Sequence, residues 1–400
     1  MLRVNWNDDM AHLRHDPAAA PTWTYLHLQR LAREMFEPQE LERLAPRSRG
    51  GPRLAEANGR GTAALDPIAA TEAIAYDFLA RGGKYSRPFI TLAAYDSATG
   101  GHCTRLEGGE GARQCLTDSV RRVALSIESF HKASLVHDDI QDGDLFRYGR
   151  PSVFAEHGVP TAINVGDYLI GLGYRLVSRD RSELGAAAAA DVLNKLADAH
   201  TRLSEGQGAE LVWRESRDKR ITPTDALKIY ALKTAPAFEA ALYGGLRLAG
   251  PADDLAAPAA QFTKHLGIAF QILNDLQDWQ GDGHNKLARG GDVLGGRPTV
   301  LWALALAGLP DHERHLLERY IADGEASLAV FDEIRSLYER AGAFDEARRL
   351  VNTHQERAAA AAEQFAPEEL RRLARYLIDT VLARPAAAGS HRIPLAIPAR

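Results

Sequence analysis

The chain has 400 residues, 45% of them hydrophobic and 25% charged, with a formal net charge of −5. This is enough apolar material for one large domain or two, but no apolar run approaches the ~18–20 residues that span a bilayer, which excludes stable membrane insertion. The acidic balance carries no nucleic-acid signature, so any polyanion bound here must be held by local cations.

A helical piece around 22–44 precedes a Gly/Pro-rich linker from Pro46 to Gly61, which sets residues 1–64 apart as an N-terminal extension. The main domain is expected over 65–383. It opens with Gly82-Gly83-Lys84-Tyr85-Ser86-Arg87, a turn that carries two cations into a helix, and continues through a Gly-rich loop at 97–116. Runs rich in Ala, Leu, Arg and Glu at 183–209, 223–248, 325–342 and 343–364 have high helix propensity, and alternating β-branched strands are lacking. The class is all-α. Asp253-Asp254, placed just after Gly250-Pro251, reads as a turn and helix cap rather than a metal site. Residues 384–400 read as a flexible tail. Cys103 and Cys115 lack zinc-ligand spacing, and the polar, acidic start Asn5-Trp6-Asn7-Asp8-Asp9 is unlike a secretory signal, so cytoplasm is the expected compartment.

Two segments carry chemistry. Ser134-Leu135-Val136-His137-Asp138-Asp139-Ile140-Gln141-Asp142 ends an apolar helical run with carboxylates at i, i+1 and i+4, so Asp138 and Asp142 share one helix face. Like charges one turn apart repel, and a cation between them removes the cost. Phe270 to Asp282 repeats the pattern, with Asn274, Asp278 and Asp282 at i, i+4 and i+8. Mg²⁺ takes one or two protein carboxylates and completes its shell with water and phosphate, so two such walls facing each other suit a diphosphate. Lys84, Arg87, Arg147, Arg150, Lys233, Lys286 and Arg297 are the candidate cations for that anion.

The order of these motifs resembles the trans-isoprenyl diphosphate synthases, or polyprenyl synthetases, from about Leu65 to Leu382. Gly83-Lys84-Tyr85-Ser86-Arg87 is similar to the family's Gly-Lys-x-x-Arg, and Glu128-Ser129-Phe130-His131-Lys132-Ala133-Ser134-Leu135 to its Glu-x-x-His-x-x-Ser-Leu helix. Asp138-Asp139-Ile140-Gln141-Asp142 matches the first aspartate-rich motif and Asn274-Asp275-Leu276-Gln277-Asp278 resembles the second. Gly206-Gln207-Gly208-Ala209-Glu210 and Lys233-Thr234 lie between them. The resemblance implies a class I terpenoid synthase-like helical bundle around a central cavity, working as a homodimer.

The same resemblance implies roles. Asp138, Asp139 and Asp142, with Asn274, Asp275 and Asp278, would hold three Mg²⁺ ions on an allylic diphosphate. Arg147, Lys233 and Lys286 would neutralise that diphosphate as it leaves, with Thr234 beside them in the substrate-binding set. Lys84, Arg87 and His131 would grip isopentenyl diphosphate, and Gln207 and Glu210 would sit beside the allylic carbon. Small residues at Ala133 and Ser134 leave the product pocket open and Phe130 forms its floor, which implies geranylgeranyl diphosphate as product. Asn164-Val165-Gly166-Asp167 would be structural.

Three positions depart from the family's pattern. Tyr148 follows Arg147 where a second arginine is usual, with Arg150 near enough to substitute; Glu210 replaces Asp; Asn274 replaces the first Asp of the second motif. Arg297 keeps the cation of the segment after that motif. Asn274, Asp278 and Asp282 also resemble the magnesium triad of class I terpene cyclases, which need no isopentenyl site. A cyclase or repurposed prenyl-transfer enzyme is therefore the alternative, and a non-catalytic partner subunit the third reading.

Overall fold

The computed structural model describes residues 25–48, 66–105, 116–279, 290–322 and 330–382. Lys286, Asp282, Cys115, most of the 46–61 linker and the 384–400 tail lie outside them. The described chain is helical but for a two-stranded hairpin, Phe146–Arg147 against Arg150–Pro151. Helices of seven or more residues are α1 (Leu26–Glu34), α2 (Pro38–Leu44), α3 (Pro67–Ala80), α4 (Ser86–Ala98), α5 (Asp118–Asp142) and α6 (Val159–Arg179). They continue as α7 (Ala186–Glu215), α8 (Pro223–Lys233), α9 (Ala235–Ala249), α10 (Asp253–Asp278), α11 (Val300–Gly308), α12 (Asp311–Ala322), α13 (Phe331–Arg340), α14 (Ala343–Ala362) and α15 (Glu368–Val381).

The boundaries refine the expectations for physical reasons. The 22–44 piece is two helices, divided before Pro38, which can start a helix but not continue one. The 223–248 run breaks at Thr234, again just before an Ala-Pro step. Asp253 and Asp254 are not the cap of α10 but its first two residues, with Ala252 at the N-cap; there they face the positive helix end. Cys103 is buried.

The central pair is α5 and α6. Thr117 caps α5 by accepting from the Val120 N–H, and left-handed Gly143 ends it straight after the acidic segment. The two helices approach closely because α6 offers glycine where α5 offers rings: a β carbon at Gly166 would collide with His137, and one at Gly173 would lie 2.6 Å from Phe130. Ser126 and Ser129 tie the seam, donating to the Gly173 and Leu169 carbonyls, both at 2.7 Å. Gly166 thus has the structural place the sequence suggested.

One apolar core joins α1 to α7 with α9, α10, α14 and α15; Leu28 of α1 and Met35 and Phe36, which follow that helix, are buried in it. A second cluster surrounds Trp302 and Tyr338. Trp279, the residue after α10, stacks on Phe331 at 5.2 Å and packs on Tyr338 at 4.6 Å, which pins the acidic end of α10 in place.

Between α10 and α14, His265 Nδ1 meets His354 Nδ1 at 2.9 Å. Burial, the facing His265 and the nearby Arg357 and Lys264 lower the His354 imidazole to about 4. An unfolded histidine titrates near ~6.5, so the folded chain binds fewer protons in between and stability falls as pH drops from about 6.5 to 4. The expected loss is on the order of 3 kcal/mol. Melting temperatures measured across that range for wild type and His354→Gln check it: the variant's curve should be flatter, and parallel curves would refute the assignment.

Candidate active site

The acidic ends of α5 and α10 face each other through a chain of contacts. Arg297 places one nitrogen 2.8 Å from Asp142 and another 2.8 Å from Asp292. The Asp292 N–H then donates to Asp278 at 3.0 Å. The first motif is thereby joined to the second through one guanidinium and one peptide. Arg214 adds a second bond to Asp142 at 2.9 Å.

Asp138 lies one turn before Asp142. Burial pushes its carboxyl up to about 6, Lys233 opposes this, and Asp142 and Glu210 reinforce it. Lys233 donates to Glu210 at 2.6 Å, and Gln207 donates to Gln141 at 2.7 Å while its own buried carbonyl oxygen has no protein partner. Thr234 donates to Gln271 at 3.2 Å, linking the α8–α9 break to α10. First motif, Gln207-Glu210 segment, Lys233-Thr234 and second motif are thus assembled around one locus.

The acids at i+1 face elsewhere, as a 100° step around a helix requires. Asp139 is fully buried, and both Nε and a terminal nitrogen of Arg147 donate to it, the former at 2.9 Å. Asp275 is buried against the Tyr230 hydroxyl, which donates to it and itself accepts from the Val300 N–H at 2.7 Å; Gln271 adds a bond at 3.3 Å. Burial and Asp292 push the Asp275 carboxyl well above the usual carboxylate range. Asp139 and Asp275, both expected on the metals, are thus each held by a neighbouring side chain that braces its helix end. Arg147, expected on the departing diphosphate, has its guanidinium on Asp139, as Lys233 has its ammonium on Glu210. Asn274 and Asp278, one turn apart on α10, are half-buried.

A second locus holds the remaining cations. Lys84 is exposed at the start of α4, and Arg87 is set over the Phe238 ring, 5.3 Å from its centroid, with a buried Nε that has no protein partner. Burial, Arg87 and Lys132 hold His131 neutral, well below the ordinary imidazole range. Glu128, also buried, is pushed up by burial. Arg150 does not join this set; it is exposed, with its closest acid Asp77 at 3.8 Å.

Along the α5 face, Phe130 packs edge-on to Tyr174 at 4.8 Å and to His200 at 5.7 Å. Ala133 is buried in the core, and Ser134 is exposed with its hydroxyl turned back onto the His131 carbonyl at 2.8 Å.

Arg214 was not legible from the motifs, yet it had a signal: residues 207, 210 and 214 fall at i, i+3 and i+7 on one face of α7. No three His, Cys, Asp or Glu side chains among the described residues form a ready-made metal cage. That fits Mg²⁺, which needs only one or two carboxylates per ion, and the strained charge at Asp138 is the feature a cation relieves.

The sequence profile of the family described as polyprenyl synthetase matches residues 69–338. The chain belongs to the polyprenyl synthetase family. Among its relatives, the short chain isoprenyl diphosphate synthase of Methanothermobacter thermautotrophicus is 29% identical over 76% of this chain and 87% of its own length. The all-trans-nonaprenyl-diphosphate synthase of Rhodobacter capsulatus is 31% identical over 70% of this chain and 79% of its own. The solved polyprenyl synthase of Caulobacter crescentus, complexed with calcium and isoprenyl diphosphate, is 26% identical with a TM-score of 0.71, covering 92% of this chain and 100% of that one. The geranylgeranyl pyrophosphate synthase of Corynebacterium glutamicum, solved with isoprenyl diphosphate and magnesium, shares the fold at a TM-score of 0.72 and 23% identity over 90% of this chain and 99% of that one. The all-α terpenoid synthase bundle expected of polyprenyl synthetases is the fold found here. No helix among the described residues is long and apolar enough to cross a membrane.

Proposed function

We propose that the chain is a Mg²⁺-dependent trans-prenyltransferase that condenses an allylic diphosphate with isopentenyl diphosphate into a longer linear diphosphate, geranylgeranyl diphosphate being the product. The observation that carries this reading is the link from Asp142 through Arg297 and Asp292 to Asp278, which makes the two acidic helix ends opposite sides of one anion site. Relatives named short chain isoprenyl diphosphate synthase and geranylgeranyl diphosphate synthase support it.

Asp138 and Asp142, with Asn274 and Asp278, would supply the oxygen ligands for Mg²⁺, three ions in this proposal. Bound there, the metal supplies the positive charge that stabilises a departing diphosphate. Lys233, Arg214 and Arg297 add fixed cations at the same place, so the carbon–oxygen bond breaks toward a region already organised for negative charge. Thr234 and Lys286 complete this set in the proposal. Lys84, Arg87 and neutral His131 orient the isopentenyl diphosphate, whose double bond attacks the allylic carbon beside Gln207. The proton then lost goes to the released diphosphate, so no side chain is assigned as base. The buried faces of α5 and α10 keep water from the cation.

The proposed organisation is a catalytic domain over 65–383 flanked by 1–64 and 384–400, in a cytoplasmic homodimer. The exposed apolar side chains of Leu145, Phe146, Val159 and Ile163 support a second copy as partner, which light scattering reads directly.

The test is to incubate the protein with Mg²⁺ and dimethylallyl, geranyl or farnesyl diphosphate, with and without isopentenyl diphosphate, and to identify products by mass spectrometry. Elongated linear diphosphates that require isopentenyl diphosphate are expected. Hydrocarbons or alcohols formed without it would overturn this reading in favour of a cyclase, to which Tyr148 at the hairpin tip lends its one structural argument.

A further inference from the structure

Lys132 is fully buried on α5, and its hydrogen bonds go to backbone: Nζ donates to the Arg81 carbonyl and, at 2.7 Å, to that of Gly82. Three aromatic rings stand around it, with the ammonium 4.3 Å from the Tyr148 centroid, 5.3 Å from Phe78 and 5.8 Å from Tyr85, and the Glu128 carboxyl one turn earlier favours its charge. An ammonium bonded to two successive carbonyls is a fastener for that stretch of chain. Because trans peptides are planar, the N–H groups of Gly82 and Gly83 face away from it.

Tyr148 closes the same stretch from the other side. It and Gly149 have φ of +55° and +72°, which makes the two-residue turn that a tight hairpin uses. A β carbon on Gly82 would lie a tight 3.3 Å from Tyr148 Cβ and Cγ, and one on Gly83 in ordinary contact, 3.5 Å from its phenolic oxygen, so the hairpin tip rests directly on this stretch, where Gly83 has a φ of +134°. Arg81 fastens the hairpin in turn, donating to the Pro151 carbonyl at 3.1 Å and to Glu156 at 2.9 Å. Immediately downstream are exposed Lys84, left-handed Tyr85 and the first turn of α4 with Arg87.

We infer that Lys132 and Tyr148 form a clamp on residues 81–83 that sets the reach of Lys84 and Arg87 toward the diphosphate of the second substrate. The inference rests on the proposed prenyl transfer and adds two positioning residues to it. Lys132 does not touch substrate; it acts through the backbone it holds. Tyr148, which lacks a cation's charge, contributes the ring under which that backbone and the ammonium are packed.

Lys132→Met tests this, because it keeps an apolar stem among the rings and removes every donor. With allylic substrate saturating, KM for isopentenyl diphosphate should rise about 10- to 100-fold, since a displacement near 1 Å of an orienting group has effects of that size. The allylic KM and kcat should move by less than about twofold. Tyr148→Ala should reproduce the rise and Tyr148→Phe, which retains the ring, should restore the low KM; these two serve if Lys132→Met does not fold. Equal losses in kcat and both KM values, or an unchanged KM in Lys132→Met and Tyr148→Ala, overturn the clamp. Calorimetric binding of isopentenyl diphosphate separates the two layers. A wild type that binds without elongating refutes the synthase reading and leaves the clamp to be judged by weaker binding in the variants, while a wild type that does not bind overturns both.

Discussion

Asp138→Asn should lower the rate of prenyl transfer by about 10³-fold or more while making the folded protein more stable at pH 7. Burial raises this carboxyl to about 6, with Asp142 and Glu210 adding to the effect. An aspartate whose folded pKa exceeds its unfolded ~3.9 loses stability as pH rises between those values, and at pH 7 the loss is complete. The uncharged amide removes a penalty on the order of 3 kcal/mol. Asp139→Asn should do the opposite: burial pushes this carboxyl up to about 6 as well, but two nitrogens of Arg147 donate to it, so here the charge has a partner whose bonds an amide would weaken. Arg147 is half-buried and keeps, among the described residues, only Asp144, at 3.6 Å, once the Asp139 charge is gone, so the loss should be about 1–3 kcal/mol. Turnover assays with denaturant titrations at pH 7 check both. Two adjacent aspartates of one motif should therefore shift stability with opposite signs, and equal signs would refute the division of labour drawn here.

That division marks the limit of what the sequence could reveal. The order of motifs on long amphipathic helices carries the family and the all-α class, because helical periodicity is local and i,i+4 spacing predicts shared faces. Asp138 with Asp142 follows from it directly. What the i+1 acids do depends on what stands opposite: Asp139 meets Arg147 only because the chain turns through Gly143 and returns in a hairpin, and Asp275 meets Tyr230 only because α8 packs on α10. Non-local packing of that kind leaves no trace in spacing. The Lys132 bonds are of the same sort, since a lysine inside a helix reads as solvated until a turn from residues 81–83 is laid over it. Gly173 is intermediate: a glycine within a helix signals a close approach, but only the structure names Phe130 as what approaches.

That approach leads to the second large effect, on product length. Phe130 fills the Gly173 notch, edge-on to Tyr174 and His200, so its ring spans the space between α5, α6 and α7 on the side of α5 where a growing chain would run. Phe130→Ala removes the ring and should lengthen the dominant product by at least one five-carbon unit. Gly173→Ala acts in the reverse sense: the added methyl, 2.6 Å from Cε2, drives the ring out of its notch toward the chain and should shorten the product. Overpacking of this kind typically costs about 1–3 kcal/mol, so the variant should also melt earlier. The double variant decides the cause, because without the ring there is nothing for the methyl to displace, and its product should match that of Phe130→Ala. Mass spectrometry of the diphosphates gives the answer. If Phe130→Ala leaves the product unchanged, the ring is ordinary packing and the floor lies elsewhere. If Gly173→Ala shortens the product even in the Phe130→Ala background, the methyl acts on the chain itself and α6, not Phe130, sets the length.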